Sequence, residues 1–253
     1  MLACSAAPGI RKQTYMQIEG KRVLITGAGR GLGRTLVDAC VAAGAAEVVA
    51  GVRNPEAHEA LKSERVTTVQ LDVTNDTDVN ALSRLDKIDI LINNAGVAGF
   101  GNPLTMDFKA IEEEMAVNYL GVMRVTRAIA PGMVAQNNGI IVNVATAFAK
   151  VNLPLVGTYC ATKAALLSLG QALRAYLSTH GVKVITVLPT TIDTDMSKGA
   201  DVPKMTKEFV AAEILAAIRE ERHDPPIGDQ AADICAELLK DPLAIERKLM
   251  NYK

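Results

Sequence analysis

The chain has 253 residues, 49% of them hydrophobic and 22% charged, with 27 Lys and Arg against 28 Asp and Glu. That length suits one large domain or two small ones, and the apolar content suffices for a substantial core. No basic excess exists to neutralise nucleic-acid phosphates, and no uncharged apolar run approaches the roughly 18 residues of a membrane span.

Residues 1–15 show no periodicity. Their apolar stretch is short and is followed by Arg11-Lys12, unlike a secretory signal. A poorly ordered extension is expected there, with a single domain over 16–253. Cysteines at 4, 40, 160 and 235 form no Cys-x-x-Cys pair, so neither a disulfide framework nor a metal site is expected. Free thiols of this kind fit a reducing, cytoplasmic setting.

From Met16 onward the pattern alternates. Apolar, β-branched runs lie at 22–26, 47–52, 66–71, 89–93, 139–145 and 182–188, with a possible short seventh near Pro225–Ile227. Helical spacing appears at 32–43, 77–83, 107–130, 158–179 and 207–220, and again at 228–239 and 241–249. Strands apolar on both faces, alternating with helices, predict an α/β fold. The sheet is parallel and doubly wound, of Rossmann type, with helices on both faces.

The first strand runs into Thr26-Gly27-Ala28-Gly29-Arg30-Gly31-Leu32-Gly33, with a helix next. Glycines at a strand-to-helix turn let the backbone approach a pyrophosphate seated on the helix N-terminus. The register is Gly27-x-x-x-Gly31-x-Gly33, and it makes Gly27, Arg30, Gly31, Leu32 and Gly33 cofactor candidates. Twenty residues past Gly33 lies Arg53, and no acid stands between Val48 and Pro55. An acid there would bind the ribose hydroxyl of NAD. Arg53, with Arg30, suits the 2′-phosphate of NADP(H) instead. The plain alternative is two surface arginines.

Tyr159 and Lys163 open the helix at 158–179, four residues apart and so on one face. A cation about 5 Å from a phenol, at an effective dielectric near 20, supplies roughly 3 kcal/mol toward lowering its pKa. Such a tyrosine is a general acid for a developing alkoxide, or a base in reverse. Alone, Tyr-x-x-x-Lys is common by chance and reads first as a helix-face pair.

Taken together and in order, these motifs resemble the short-chain dehydrogenase/reductase family. The likeness runs from about Gln17 to at least Met196. It rests on Thr26–Gly33, Asp72-Val73, Asn93-Asn94-Ala95-Gly96, Asn118, and Tyr159 with Lys163. The resemblance implies that Tyr159 protonates a carbonyl oxygen and that Lys163 binds the nicotinamide ribose. It implies that Asn118 holds a relay water and that Asp72 and Val73 contact adenine. Asn94, Ala95 and Gly96 would contact the middle of the cofactor, and Pro189, Ile192 and Thr194 its nicotinamide end. Asn93 reads as strand support. A mobile lid over 190–206 and a homodimer or homotetramer are also implied.

Two positions depart from the family pattern. Where the family places a substrate-binding serine, this chain has Thr146, which keeps the hydroxyl and adds a methyl. The Pro-Gly after the sixth strand is Pro189-Thr190. Phe100, Leu153, Leu155 and Met196 are positioned to line an apolar pocket, and His58, His180 and His223 read as surface residues.

The expected activity is NADPH-dependent reduction of an aldehyde or ketone to an alcohol, with no nucleic-acid or membrane partner. An NAD-dependent alcohol dehydrogenase of the same fold, and a non-catalytic nucleotide-binding protein, are the alternatives.

Overall fold

In the computed structural model the apolar runs become seven parallel strands. They are β1 (Arg22–Thr26), β2 (Glu47–Val52), β3 (Val66–Gln70), β4 (Ile90–Asn93), β5 (Gly139–Val144), β6 (Val182–Pro189) and β7 (Pro226–Ile227). The structure describes residues 17–250 apart from Lys62, so the expected 1–15 extension lies outside the described residues. The sheet order is β3-β2-β1-β4-β5-β6-β7. The order reverses at β1, which pairs with β2 on one side and β4 on the other. The crevice at the carboxyl ends of β1 and β4 is the place where such sheets bind ligands.

Side-chain alternation sorts the core onto two faces. Val23 and Ile25 of β1 point toward α1 (Gly31–Ala42) and α6 (Lys207–Glu220), whose Leu36, Val37, Ile214 and Ile218 meet them. Leu24 points the other way. That face is covered by α2 (Asp76–Ala81), α4 (Val122–Ala135) and the end of α5 (Gly157–Leu177), through Val79, Met133 and Leu177. Each fully buried Leu or Ile contributes about 1.5–3 kcal/mol. A third, smaller cluster joins residues 147–153 to α7 (Asp229–Lys240) and α8 (Pro242–Leu249). It supports the loop that follows β5.

The helical spacing at 107–130 corresponds to helical chain from Phe108 to Ala135. It is α3 (Phe108–Met115), a wider π-type turn over Ala116–Gly121, and then α4, which runs on to Ala135 through Pro131. Asn118 in that turn is drawn to the loop after β4, bonding Val97 through both ends of its amide. Single π-turns inside α-helices occur often at functional sites.

Candidate active site

The turn after β1 is held in a shape that favours glycine. Gly27 and Gly31 have φ of +64° and +54°. A Cβ on Gly33 would stand 2.1 Å from the Gly27 carbonyl oxygen, and one on Gly27 would press on Ala95. The turn is tied to β4 from the other side. Thr26 Oγ1 accepts the amides of Asn94 and Ala95 at 3.0 Å, and Asn94 Nδ2 donates to the Thr26 and Gly27 carbonyls. The first turn of α1 carries no acid, so its free N–H groups present an anion site.

A cavity of about 1150 Å³ runs along these carboxyl ends. That is at or above the upper end of small-ligand sites, room for a dinucleotide and a substrate together. Its lining includes Gly27, Arg30, Gly31 and Leu32 at one wall, and Arg53, Asp72 and Val73 at one end. Asn94, Ala95 and Gly96 also line it, as do Thr146, Tyr159, Lys163, Pro189 and Ile192, and Thr194, whose methyl faces Gly31. Gly33 sits behind the lining and sets the turn's shape. Arg53 is exposed and lies near enough to Asp72 to act on its carboxyl. Burial pushes that carboxyl up. The hydroxyl and amide of Thr74, at 2.6 and 2.8 Å, and the charge of Arg53 outweigh it, so the group stays below the usual carboxylate range.

At the far end, Lys163 is buried and its Nζ donates to the Val144 carbonyl at 2.9 Å. The same Nζ lies 5.7 Å from the Tyr159 ring centre. Burial brings this ammonium down to about 8. The phenol moves opposite to the expected direction. Burial pushes Tyr159 up, and the charges of Cys160 and Glu114 add to it. Burial raises a phenol because the phenolate loses its hydration there.

The short chain dehydrogenase family model matches residues 21–204. The chain belongs to the short-chain dehydrogenase family. A sorbitol dehydrogenase of Cereibacter sphaeroides is 34% identical over 195 residues, covering 74% of this chain and 76% of that protein. An L-xylulose reductase of Bos taurus is 35% identical, covering 73% and 77%. Among solved structures, a short chain dehydrogenase from Burkholderia cenocepacia J2315 in complex with NADP is 39% identical. Its TM-score is 0.89, and the match covers 93% of this chain and all of that one.

Within this short-chain dehydrogenase, two of the anticipated residues have geometry that spacing could not reveal. Asn118 is fully buried and outside the cavity lining. Its amide serves Val97 and also donates to Thr162 Oγ1 at 3.0 Å, so the side chain holds helix and loop together. The Thr146 hydroxyl donates to the Pro189 carbonyl at 2.9 Å and accepts the Phe148 amide at 3.3 Å. Arg30 has a partner too, Asp195 of the 190–206 segment at 3.6 Å, with both side chains largely exposed.

The segment 190–206 is anchored at both ends. Ile192 pairs with Met205, and Ser197 Oγ bonds the Ile192 carbonyl at 2.6 Å. Asn93 is buried and bonds Thr126 and Asn143, as strand support requires. Sequence reasoning missed His58. By sequence it reads as a surface residue, yet it lines the cavity, and its imidazole would meet a Cβ on Gly29 at 2.6 Å. Only the pairing of a histidine with a glycine 29 residues earlier carried that signal, and no local pattern marks it.

Proposed function

We propose that this dehydrogenase uses NADPH to reduce an aldehyde or ketone to an alcohol. The observation that carries the reading is the placement of Tyr159 and Lys163 in the same cavity as the glycine turn. The turn supports a dinucleotide because a Cβ at Gly33 would fill the space the backbone needs. Arg53 beside Asp72 supports the 2′-phosphate, as does the NADP carried by the Burkholderia cenocepacia relative. The L-xylulose reductase relative supports the direction.

NADPH, when bound, supplies the hydride to the carbonyl carbon. The chain supplies position and a proton. Tyr159, held protonated by burial, is a phenol ready to donate to the carbonyl oxygen. Lys163 is fixed by Val144 and keeps two further N–H groups for ribose hydroxyls. Asn118 serves the relay by shape, holding the Val97 loop and Thr162 around it. Thr146 fixes Pro189, and its hydroxyl reaches a substrate carbonyl only by leaving that partner. The exposed Phe108 at the start of α3 and Leu120 in the π-type turn support a homodimer or homotetramer, and a cytoplasmic setting goes with the free, half-buried or buried thiols of Cys40, Cys160 and Cys235. Among the described residues no helix is long and apolar enough to cross a membrane.

Calorimetric titration with NADPH and, separately, NADH tests the cofactor assignment. Tighter NADPH binding supports it. Tighter NADH binding favours the alcohol-dehydrogenase alternative, and binding of neither removes the dinucleotide reading.

A further inference from the structure

We propose that the carbonyl substrate is apolar, a medium-chain or aryl-substituted ketone or aldehyde, rather than a sugar. The inference rests on the reductase reading above and extends it to the substrate class.

The wall beyond Tyr159 carries it. Phe148, Leu153 and Val156 line the cavity and belong to one apolar cluster, against which the Tyr159 ring itself packs. Across the mouth stand Phe100, Leu155 and Met196, which are 58%, 49% and 42% exposed. These three come from separate segments yet converge on one cavity. A hydrogen bond from the Gly101 amide to the Leu155 carbonyl at 2.9 Å fixes two of those segments side by side. Large apolar side chains left open to water around a single mouth gain free energy when an apolar occupant covers them.

Three polar side chains at this end are committed elsewhere. The Thr146 hydroxyl is engaged with Pro189, and Ser197 Oγ donates to the Ile192 carbonyl. Asp195 is paired with Arg30 toward the glycine turn. The lining residues from 97–100 and 147–156 include no Asn, Gln, His or charged side chain. A ketopentose brings several hydroxyls, and those set against this wall would lose water without gaining a side-chain partner. Sites that accept hydroxylated substrates discriminate through matching polar groups, and a hydroxyl left unpaired is strongly penalised.

The test uses the full chain with NADPH and a homologous series from 2-butanone to 2-nonanone, alongside a ketopentose. The expected result is a rise in kcat/KM of about fourfold per added methylene until the mouth is filled, with the ketopentose below 2-nonanone. Phe100→Ser flattens that dependence on length. An independent readout titrates 2-nonanone into protein saturated with NADP, where no hydride is available. Binding with a negative heat-capacity change is expected. A ketopentose that outperforms 2-nonanone, or a kcat/KM independent of chain length, overturns the substrate class while the reductase reading stands. Binding of 2-nonanone without reduction of any carbonyl compound overturns the reductase reading instead. Absence of both binding and reduction of 2-nonanone overturns the proposal.

Discussion

The Thr146 hydroxyl donates to the Pro189 carbonyl across 2.9 Å, both groups lying at the carboxyl end of the sheet. One side chain therefore joins the loop after β5 to the end of β6. The hydroxyl also caps the turn at Ala147–Ala149 by accepting the Phe148 amide. Removing it strands a buried carbonyl and a buried amide. We expect Thr146→Val to lose about 1–3 kcal/mol of stability, read by denaturant unfolding. Thr146→Ser keeps the oxygen and should stay within about 1 kcal/mol of the parent.

Arg53 and Arg30 are both cations at the cofactor cavity, but only Arg30 has an acid within ion-pair distance, Asp195. Arg53 acts on Asp72 at the adenosine end. Arg53→Glu should weaken NADPH binding by about 10–100-fold while sparing NADH, the loss expected for a charge-assisted phosphate contact. Arg30→Ala should have the smaller effect. Paired titrations of the two variants check the order, and a larger loss from Arg30→Ala would move the phosphate contact to the glycine turn.

Lys163 makes stability depend on pH. Its folded value is about 8, against 10.5 for the free side chain. Between these values the unfolded chain binds more protons than the folded one, so stability from this group rises with pH. Below pH 8 the cost is constant, at about 3 kcal/mol. Cys40, Cys160 and Tyr159, all pushed up by burial, act in the opposite sense at alkaline pH. The readout is therefore the difference between the parent and Lys163→Met, measured by unfolding from pH 7 to 10. That difference should shift in favour of the parent as pH rises.

The strands were legible because central parallel strands are buried on both faces and leave β-branched runs such as Ile90-Leu91-Ile92. The glycine turn was legible because its positive φ values admit few other residues. Tyr159 and Lys163 were legible through their four-residue spacing only in company with the other motifs, taken in order. What stayed hidden depends on distant partners. The π-turn arises where Val97 and Thr162 draw on Asn118 from two other elements. The commitment of Thr146 to Pro189 spans 43 residues. The upward push on Tyr159 comes from burial and from Glu114 on α3, and periodicity does not report the depth of a side chain. The position of His58 against Gly29 is hidden for the same reason.

The central claim is that Tyr159 gives the proton to the substrate oxygen. Turnover of NADPH with a reducible ketone by Tyr159→Phe, beside calorimetry of its NADPH binding, tests this most directly. The account predicts a fall in kcat/KM of about 10²–10⁴-fold, with NADPH affinity kept within about twofold. A variant that turns over within about tenfold of the parent would show that the proton comes from elsewhere.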